Sequence, residues 1–460
     1  MAFPFLQNGR AFGCTRYMPL SVMLSKVEVP NAGSKANKNL RAYANPTTFK
    51  VKYYTKRTNM KFGIIRERKN PPDRRVVLSP EACQKVLSKH KNAEIIVEPS
   101  TIRAFSDDAY KKAGLTVASK MEECDVLIGV KEVPIENLIP NKKYFFFSHT
   151  IKKQPYNRDL LQAILEKNIE FYDHEVITNQ KEQRLVAFGR YAGIVGAYNG
   201  FRTYGLKYKS FELPKAEELA DQQALIAQLK TIKLPNIKVL LTGRGRVGNG
   251  SRVMLDGMGM RRVNVTEYLK EDFQEPVYCQ IDASEYNKRK DGVRGNKTDF
   301  FANPEEYKSN FFRFAKVTDL YIAGHFYGQG APYLYTREDA KQPGFKIKVV
   351  ADISCDIDGP VASTIKSSTI EDPIYGYDPQ SESESNFTNP NAIAVMAVDN
   401  LPCELPRDAS LGFGEAFVKN VIPAFFNGDA KGVLHRARMT QNGRLTARYR
   451  YLQDYVDGKE

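Results

Sequence analysis

Residues 237–260, IKVLLTGRGRVGNGSRVMLDGMGM, decide the fold, because an apolar run, a glycine turn and a helical pattern follow one another without a break. The turn fits GxGxxG, in which the first glycine permits a tight turn, the second lets a pyrophosphate approach the backbone, and the third lets helix and strand pack closely. Amides at the start of the helix then hold the phosphates. The motif alone also fits a plain strand-to-helix turn. The predicted cofactor-binding residues of the turn are Gly243, Gly245, Arg246, Val247 and Gly248.

The sequence predicts NAD or NADP at this turn and leaves the choice between them open. A ribose-binding acid is expected roughly 20 residues further on. Glu267 lies 22 residues after Gly245. Arg261 and Arg262, close by, would instead suit the 2′-phosphate of NADP.

Upstream of the turn, from Met60 onward, short apolar runs alternate with helical patterns: KFGIIRE, SPEACQKVLSKH, AEIIVEP, DVLIGV, KYFFFSH and PYNRDLLQAILEKN. Strands alternating with helices are typical of parallel β/α units, so the predicted fold class is α/β. A chain of 460 residues is long enough for two domains. Residues 214–230 are predicted to be one amphipathic helix, and the charged segment 280–311 is interpreted as an insertion.

The net charge of +15 lies mostly in the first 59 residues, which hold ten Lys and Arg and one acid and therefore carry +9. Residues 1–59 are expected to be a disordered or mis-annotated extension before a start at Met60, or a transit peptide. The expected location is the cytoplasm, or an organelle if the tail is a transit peptide. No apolar stretch is long enough for a membrane span. The scattered cysteines predict no structural metal. The basic tail is the only feature of the sequence that favours nucleic-acid binding.

Two ionisable side chains close buried strands of the first half. DVLIGV ends at Lys131 and KYFFF is followed two residues later by His149. In an open parallel sheet, ligands bind at the carboxyl ends of the strands, so both groups are predicted to face one crevice as an acid/base pair. An unperturbed imidazole titrates near neutral pH, whereas Lys131 would need a pKa well below the usual value of roughly 10.4. The alternative is that each merely ends its strand.

Six ordered blocks of the chain resemble a known family: RERKNPPDRRVVLSPE, VLIGVKEVP, YFFFSHTIKKQPYN, RLVAFGRYAGIVG, ADISCDIDGP and VDNLPCELPRDAS. They are similar to the lysine-2-oxoglutarate reductases and lysine-forming saccharopine dehydrogenases, and more distantly to alanine dehydrogenase. The resemblance runs from about Met60 to about residue 430. It implies two Rossmann-like domains with parallel sheets, an active site in the cleft between them, and reversible hydride transfer between NAD or NADP and saccharopine, which forms from lysine and 2-oxoglutarate.

The resemblance also implies roles for single residues. Arg75 would bind a substrate carboxylate, unless a shift of one residue gives that role to Arg74. Lys131 and His149 would be the catalytic pair, with Glu132 and Glu175 tuning it. Asp352 would lie near the nicotinamide ribose. No metal is implied, and the expected partners are the small-molecule substrates, with no nucleic acid and no membrane.

The same resemblance divides the chain into a substrate domain, residues 60–188 plus 401–460, and a dinucleotide-binding domain, residues 189–400. The chain leaves no room for the glutamate-forming domain of bifunctional members, so one half-reaction is expected. Two other functions remain open: an alanine dehydrogenase-like enzyme, and a nucleotide-binding sensor or scaffold without catalysis.

Overall fold

A computed structural model describes residues 59–460. The prediction that residues 1–59 are a disordered or mis-annotated extension, or a transit peptide, therefore lies outside the described residues, apart from Asn59. No helix within 59–460 is both long enough and apolar enough to cross a membrane.

The first half of the described chain forms a six-stranded parallel sheet with three helices. Its strands are β1 (Met60–Ile64), β2 (Ala93–Val97), β3 (Thr116–Val117), β4 (Val126–Ile128), β5 (Lys143–Phe146) and β6 (Glu170–Asp173), and its helices are α1 (Pro80–Lys89), α2 (Asp107–Lys112) and α3 (Arg158–Glu166). The strand order is β3-β2-β1-β4-β5-β6. Every neighbouring pair is parallel, so all the carboxyl ends share one edge.

The second half forms an eight-stranded sheet with helices and a small hairpin. Its helices are α4 (Gly189–Tyr208), α5 (Gln222–Thr231), α6 (Arg246–Gly257), α7 (Val265–Lys270), α8 (Ala283–Tyr286), α9 (Lys297–Ala302), α10 (Phe312–Ala315) and α11 (Arg337–Lys341). Its strands are β7 (Lys238–Thr242), β8 (Arg261–Arg262), β9 (Val277–Ile281), β10 (Asn287–Arg289), β11 (Tyr307–Ser309), β12 (Leu320–Ala323), β13 (Val349–Asp352), β14 (Ile374–Asp378), β15 (Ser383–Ser385) and β16 (Ile393–Met396). The order of the large sheet is β15-β14-β16-β13-β12-β7-β9-β8, antiparallel only where β14 meets β16 and β15. The α/β class with two parallel-type sheets is confirmed.

Helix α4 packs on α6 through glycines at the points of closest approach. A Cβ on Gly193 would lie 2.0 Å from the carbonyl oxygen of Val247, and one on Gly250 would lie 2.0 Å from that of Arg190. No side chain fits in either place. The glycine-rich composition of α4 therefore serves helix packing, and it fixes α6 and the turn before it.

The last part of the chain returns to the first sheet. It contains α12 (Pro406–Asn420), α13 (Val433–Ala437), β17 (Thr440–Gln441), β18 (Arg444–Leu445) and α14 (Gln453–Val456). Phe417 of α12 meets Phe145 of β5 edge to face at 5.5 Å between ring centroids. At the end of α14, the carbonyl of Val456 accepts a hydrogen bond of 2.6 Å from Gln162 of α3.

Two predicted segments differ from the structure. The helix predicted over 214–230 begins only at Gln222, because the Asp221 carboxylate accepts the amide of Ala224 at 2.9 Å and so caps a new helix. The charged segment 280–311 is an ordered hairpin with two short helices. Arg289 holds this segment together, because its guanidinium forms ion pairs with both Asp291 and Asp299.

Candidate active site

The glycine turn between β7 and α6 has space where a phosphate would lie. Gly243 has φ +91°, and a Cβ there would lie 2.3 Å from the carbonyl oxygen of Gly324, while one on Gly248 would lie 2.0 Å from that of Gly243. A Cβ on Gly245 would meet nothing within 4 Å. The first and third glycines are thus needed for packing, and the second faces open space. This arrangement fits a pyrophosphate group.

Helix α6 begins at Arg246, directly after this open position, so its first amides face the same space. The Arg246 side chain donates to the backbone carbonyl of Arg184, which belongs to the segment between β6 and α4. Val247 packs inward, 3.4 Å from the Cβ position of Gly189. The turn therefore contacts the segment that leads out of the first sheet.

The structure places Glu267 away from the ribose position expected for a Rossmann acid. Its carboxylate accepts the amide of Asn264 at 2.8 Å in the capping box of α7. Helix α7 follows β8, which is an edge strand separated from β7 by β9. The acid that follows the strand next to β7 is Asp282. The spacing rule selects Glu267 because it does not account for β8 and α7, which lie between α6 and β9, the strand that pairs with β7. A ribose contact of Glu267 stays a prediction.

Asp282 lies beside the side chain of Arg244, the second residue of the glycine turn. The Arg244 guanidinium is 3.4 Å from Asp282 and 3.1 Å from Glu285, and it also donates to the carbonyl of Gln280 at 3.2 Å. Burial opposes ionisation, but hydrogen bonds from Ser284 and the charge of Arg244 lower the pKa of Asp282. Burial and the neighbouring Asp282 raise the pKa of Glu285. One arginine thus lies between two carboxylates, of which Asp282 is the more readily ionised.

Arg75 is buried and already paired. Its guanidinium forms a fork on Asp73, with Nε 3.0 Å from Oδ1 and Nη2 2.6 Å from Oδ2. Nη2 also donates to Asn400 at 3.3 Å, and the group stacks over Phe188 at 4.3 Å. Burial alone would raise the pKa of Asp73, but the charge and hydrogen bonds of Arg75 outweigh burial and lower this pKa. Arg74, by contrast, is exposed.

Lys131 follows β4 at the carboxyl edge of the first sheet. Its backbone amide donates to the carboxylate of Glu67 at 2.8 Å, and the amide of Val130 donates to the same carboxylate at 2.7 Å. Burial, together with the positive charges of Arg75 and Lys69, lowers the pKa of Lys131. The direction is the one that a catalytic amine requires.

His149 lies beyond the end of β5 in a left-handed conformation, with φ +57°. Its two neighbours are locked, since Ser148 donates through both its amide and its hydroxyl to Asp173, at 2.9 and 2.6 Å, and the hydroxyls of Ser148 and Thr150 are 2.8 Å apart. This holds the imidazole partly exposed at the sheet edge. Nδ1 of His149 is 3.5 Å from Glu175.

Glu132 joins the strand-end loops of β4 and β5. Its Oε1 is 4.0 Å from Nε2 of His149, and its Oε2 is 3.2 Å from Nζ of Lys69. The negative charge of Glu132 also acts on the Lys131 amine, so Glu132 lies near both predicted catalytic residues. Glu132 and Glu175, on opposite sides of the ring, give the imidazole two carboxylate neighbours.

Glu175 also meets Arg184, whose Nη1 is 3.8 Å from its Oε1. Burial acts against ionisation, but the contact with His149 and the charges of Lys152 and Arg184 lower the pKa of Glu175. The Arg184 side chain is 38% exposed. It is therefore a more accessible cation than Arg75 at this edge.

Asp352 ends β13 and is completely buried. It accepts hydrogen bonds of 2.6 Å from the hydroxyls of both Ser354 and Thr364. Burial raises its pKa. Its contacts lie within the loop after β13, so Asp352 fixes the shape of that loop.

Comparison with known proteins gives the same family. Residues 63–195 match the family described as alanine dehydrogenase/PNT, N-terminal domain. The alpha-aminoadipic semialdehyde synthase of Arabidopsis thaliana is 26% identical over 435 residues, which cover 85% of this chain and 41% of that protein. The NAD(+), L-lysine-forming saccharopine dehydrogenase of Candida glabrata is 26% identical over 387 residues, which cover 78% of this chain and 90% of that protein.

The chain is similar to alpha-aminoadipic semialdehyde synthases and to lysine-forming saccharopine dehydrogenases. The resemblance predicted from the six sequence blocks is thereby confirmed. A solved L-alanine dehydrogenase shares the fold, with a TM-score of 0.57 at 17% identity, over 87% of this chain and 100% of that one. The chain spans less than half the length of the synthases that it matches, 41% for Arabidopsis thaliana and 48% for Mus musculus.

Sequence patterns did not single out four residues of the candidate site: Glu67, Asp73 and Arg184 near the first sheet, and Asp282 beside the glycine turn. Glu67 and Asp73 stand inside the quoted block RERKNPPDRR, where only the arginines were considered. A signal for Asp282 existed, because it ends the apolar run VYCQI as Lys131 ends its own run. No local signal marks Arg184, whose place depends on a contact with the other sheet.

Proposed function

We propose that this protein is an NAD(P)-dependent oxidoreductase of the lysine-forming saccharopine dehydrogenase or lysine-2-oxoglutarate reductase type. The observation that carries the proposal is that an amine with a lowered pKa, Lys131, and a histidine flanked by carboxylates, His149, lie in one cluster. Across the Arg246 to Arg184 contact, the cluster meets a glycine turn that fits a dinucleotide. A buried-amine and imidazole pair beside such a turn suits redox chemistry at a C–N bond.

The proposed cofactor is NAD or NADP, held by the glycine turn and by the first amides of α6. When bound, it supplies or accepts a hydride. Between the two, we propose that NAD is preferred. The carboxylate of Asp282, whose pKa is lowered, can accept hydrogen bonds from the hydroxyls of an unmodified ribose and would repel a 2′-phosphate.

The proposed substrates are lysine and 2-oxoglutarate in one direction and saccharopine in the other. Condensing an amine with a ketone requires an uncharged amine, and the lowered pKa of Lys131 lets its Nζ take up the proton that the substrate amine loses. Proton transfers at the carbinolamine oxygen then fall to the His149 imidazole. The carboxylates of Glu132 and Glu175 flank this ring, 4.0 Å from Nε2 and 3.5 Å from Nδ1.

Carboxylate binding is assigned to two arginines. Nη1 of Arg75 makes no hydrogen bond within residues 59–460, although Nε and Nη2 are occupied by Asp73 and Asn400. The guanidinium of Arg184 is more exposed and stands beside Glu175. A planar guanidinium binds a carboxylate better than an ammonium does. In this proposal Asp352 shapes the loop beside the nicotinamide and does not touch the reacting atoms.

The domain assignment follows as part of the proposal. The first sheet with the C-terminal helices, residues 60–188 and 401–460, would be the substrate domain, and residues 189–400 the dinucleotide-binding domain. This is a proposal about roles, since each sheet supplies different site residues.

The deciding experiment follows nicotinamide absorbance with lysine and 2-oxoglutarate, using NADH and NADPH in parallel. We expect oxidation that requires both substrates and is faster with NADH. Pyruvate with ammonia serves as the comparison, because the alanine dehydrogenase-like fold makes it the competing reaction. Turnover with pyruvate alone would replace the proposal, and cofactor binding without any turnover would favour a nucleotide-binding protein that has lost catalysis.

A further inference from the structure

The short loop that carries Lys131 is held from two sides by buried polar groups. On one side, both oxygens of Glu67 accept amide hydrogens, Oε1 from Val130 at 2.7 Å and Oε2 from Lys131 at 2.8 Å. On the other side, Nε2 of His174 is 2.8 Å from the carbonyl oxygen of Gly129. Three successive backbone groups are therefore fixed by two side chains from outside the loop.

His174 is placed to hold this loop and not to transfer protons. It is completely buried, and burial lowers its pKa to about 3, so the ring stays neutral. Since its partner is a carbonyl oxygen, Nε2 must carry the hydrogen and donate it. Although His174 directly precedes Glu175, its ring points toward Gly129, among the rings of Phe147 and Phe413.

Glu67 connects the loop of Lys131 to the loop of Arg75. Glu67 and Arg75 both lie on the segment between β1 and α1. A carboxylate that accepts two amides through separate oxygens fixes both distance and orientation. The backbone at Lys131 is thereby hydrogen-bonded to the segment between β1 and α1, which also carries Arg75.

We infer that Glu67 and His174 form a clamp that positions Lys131 for its reaction without touching the substrate. The inference rests on the proposed function for the meaning of Lys131, but the clamp itself is a property of the backbone. Burial and the neighbouring Asp73 raise the pKa of Glu67 to about 8, against the two amides, which favour the carboxylate. Both oxygens accept these amides when Glu67 is ionised, so exchange and turnover are compared above pH 8, where the carboxylate form prevails.

The test replaces Glu67 by Gln, which keeps the size but turns one acceptor into a donor facing an amide. The matched control is Asp125→Asn. Asp125 accepts the amide of Lys61 at 2.8 Å and joins the same strands, β1 and β4, at the opposite edge of the sheet. Amide hydrogen exchange is measured over residues 126–133. We expect exchange at Val130 and Lys131 to speed up at least about tenfold in Glu67→Gln and to stay unchanged in Asp125→Asn.

Unchanged exchange at these two amides in a folded Glu67→Gln protein would overturn the clamp, whatever the enzyme does. Should Glu67→Gln not fold, Glu67→Asp, whose carboxylate is one methylene shorter, serves for the same measurement with the same two outcomes. This readout needs no turnover, so a failure of the proposed substrates is seen separately, in the wild-type assay.

The kinetic arm shows whether the clamp matters for Lys131. We expect Glu67→Gln to lower kcat at least about tenfold and to shift the limb of the pH profile that Lys131→Met removes, while the NADH dissociation constant changes less than about twofold. If Glu67→Gln lowers the melting temperature but leaves the pH profile of activity unchanged, Glu67 is a structural residue and does not position Lys131.

Discussion

Nδ1 of His149 lies 3.5 Å from Oε2 of Glu175, and neither atom has a hydrogen-bond partner of good geometry within residues 59–460. The two groups face each other at the edge of the first sheet, and the lowered pKa of Glu175 keeps its carboxylate ionised. The carboxylate of Glu175 is therefore a negatively charged hydrogen-bond acceptor beside Nδ1 of the imidazole. This arrangement suits a side chain that must take up and release protons during each turnover.

Replacing His149 by Gln should damage turnover and leave folding intact. General acid/base catalysis contributes about 10² to 10⁴ in rate, so we expect kcat to fall at least about tenfold. The melting temperature should stay within a few degrees, because the side chain is partly exposed and adds little to the core. His435→Gln, at an exposed histidine, is the control. Retained turnover with earlier unfolding would make His149 a strand terminator.

Lys131→Met should lower activity and raise stability together. Burial lowers the pKa of Lys131 below that of the unfolded chain, so folding disfavours the protonated amine and costs free energy at neutral pH. We expect kcat to fall at least about tenfold and the melting temperature to rise, while Lys89→Met, at an exposed helix end, changes neither. With His149→Gln, the double mutant should lose less than the product of the two. A lower melting temperature would contradict the assignment.

Gly245→Val separates cofactor binding from folding. The residue has φ −82°, which any side chain adopts, and its Cβ would meet no atom within 4 Å. We expect the melting temperature to hold and the affinity for NADH, measured by calorimetry, to fall at least about tenfold, because the side chain fills the pyrophosphate space. Gly248→Ala should show the opposite pattern, since its Cβ would lie 2.0 Å from a carbonyl oxygen. Unchanged affinity in Gly245→Val would make the turn purely structural.

Asp282→Asn distinguishes the acid placed beside β7 from the one predicted by spacing. Losing the charged acceptor should weaken NADH binding about tenfold and reduce the preference for NADH over NADPH. Glu267→Gln should leave both affinities unchanged, because Glu267 caps α7. Fluorescence titration of both cofactors measures this. The reverse result, with only Glu267→Gln affecting NADH, would restore the prediction from spacing.

Glu404→Gln should remove a pH dependence of stability. Burial raises the pKa of Glu404 from 4.5 to about 7, in contact with Asn199 of α4. The folded state then binds the proton more tightly than the unfolded chain, so the free energy of unfolding falls as pH rises from about 4.5 to about 7, by up to about 3 kcal/mol. Gln does not titrate. The stability of the variant relative to the wild type should therefore increase between pH 5 and pH 8. Glu415→Gln, at an exposed site on α12, should show no such increase. Parallel melting curves over this range would contradict it.

Much of the fold was predictable because its strong local signals agree with the tertiary structure. Ser79 before Pro80 predicts the start of α1, and the Ser79 hydroxyl indeed accepts the amide of Ala82 at 3.2 Å. The glycine turn was found for the same reason, since its spacing reflects contacts within one strand-turn-helix unit. Both features depend on residues close in sequence.

The misses depend on pairing between distant segments. Asp282 could not be placed without knowing that β9, and not β8, lies next to β7. That Arg75 is occupied by Asp73 while Arg184 is exposed follows from burial, which sequence spacing does not give. The acid/base pair itself stays a prediction, although the structure brings Glu132, His149 and Glu175 into contact.

Helices α12 and α14 leave the ribosome after every strand of the large sheet, yet they pack against the first sheet, whose strands are made earlier. The large sheet, by contrast, has all its strands once residue 396 has emerged. Domains fold as units during synthesis, usually starting from the N-terminal one. In this chain the large sheet has all its strands while the first sheet, which carries Lys131 and His149, still lacks its C-terminal helices, so we expect the second half to fold first.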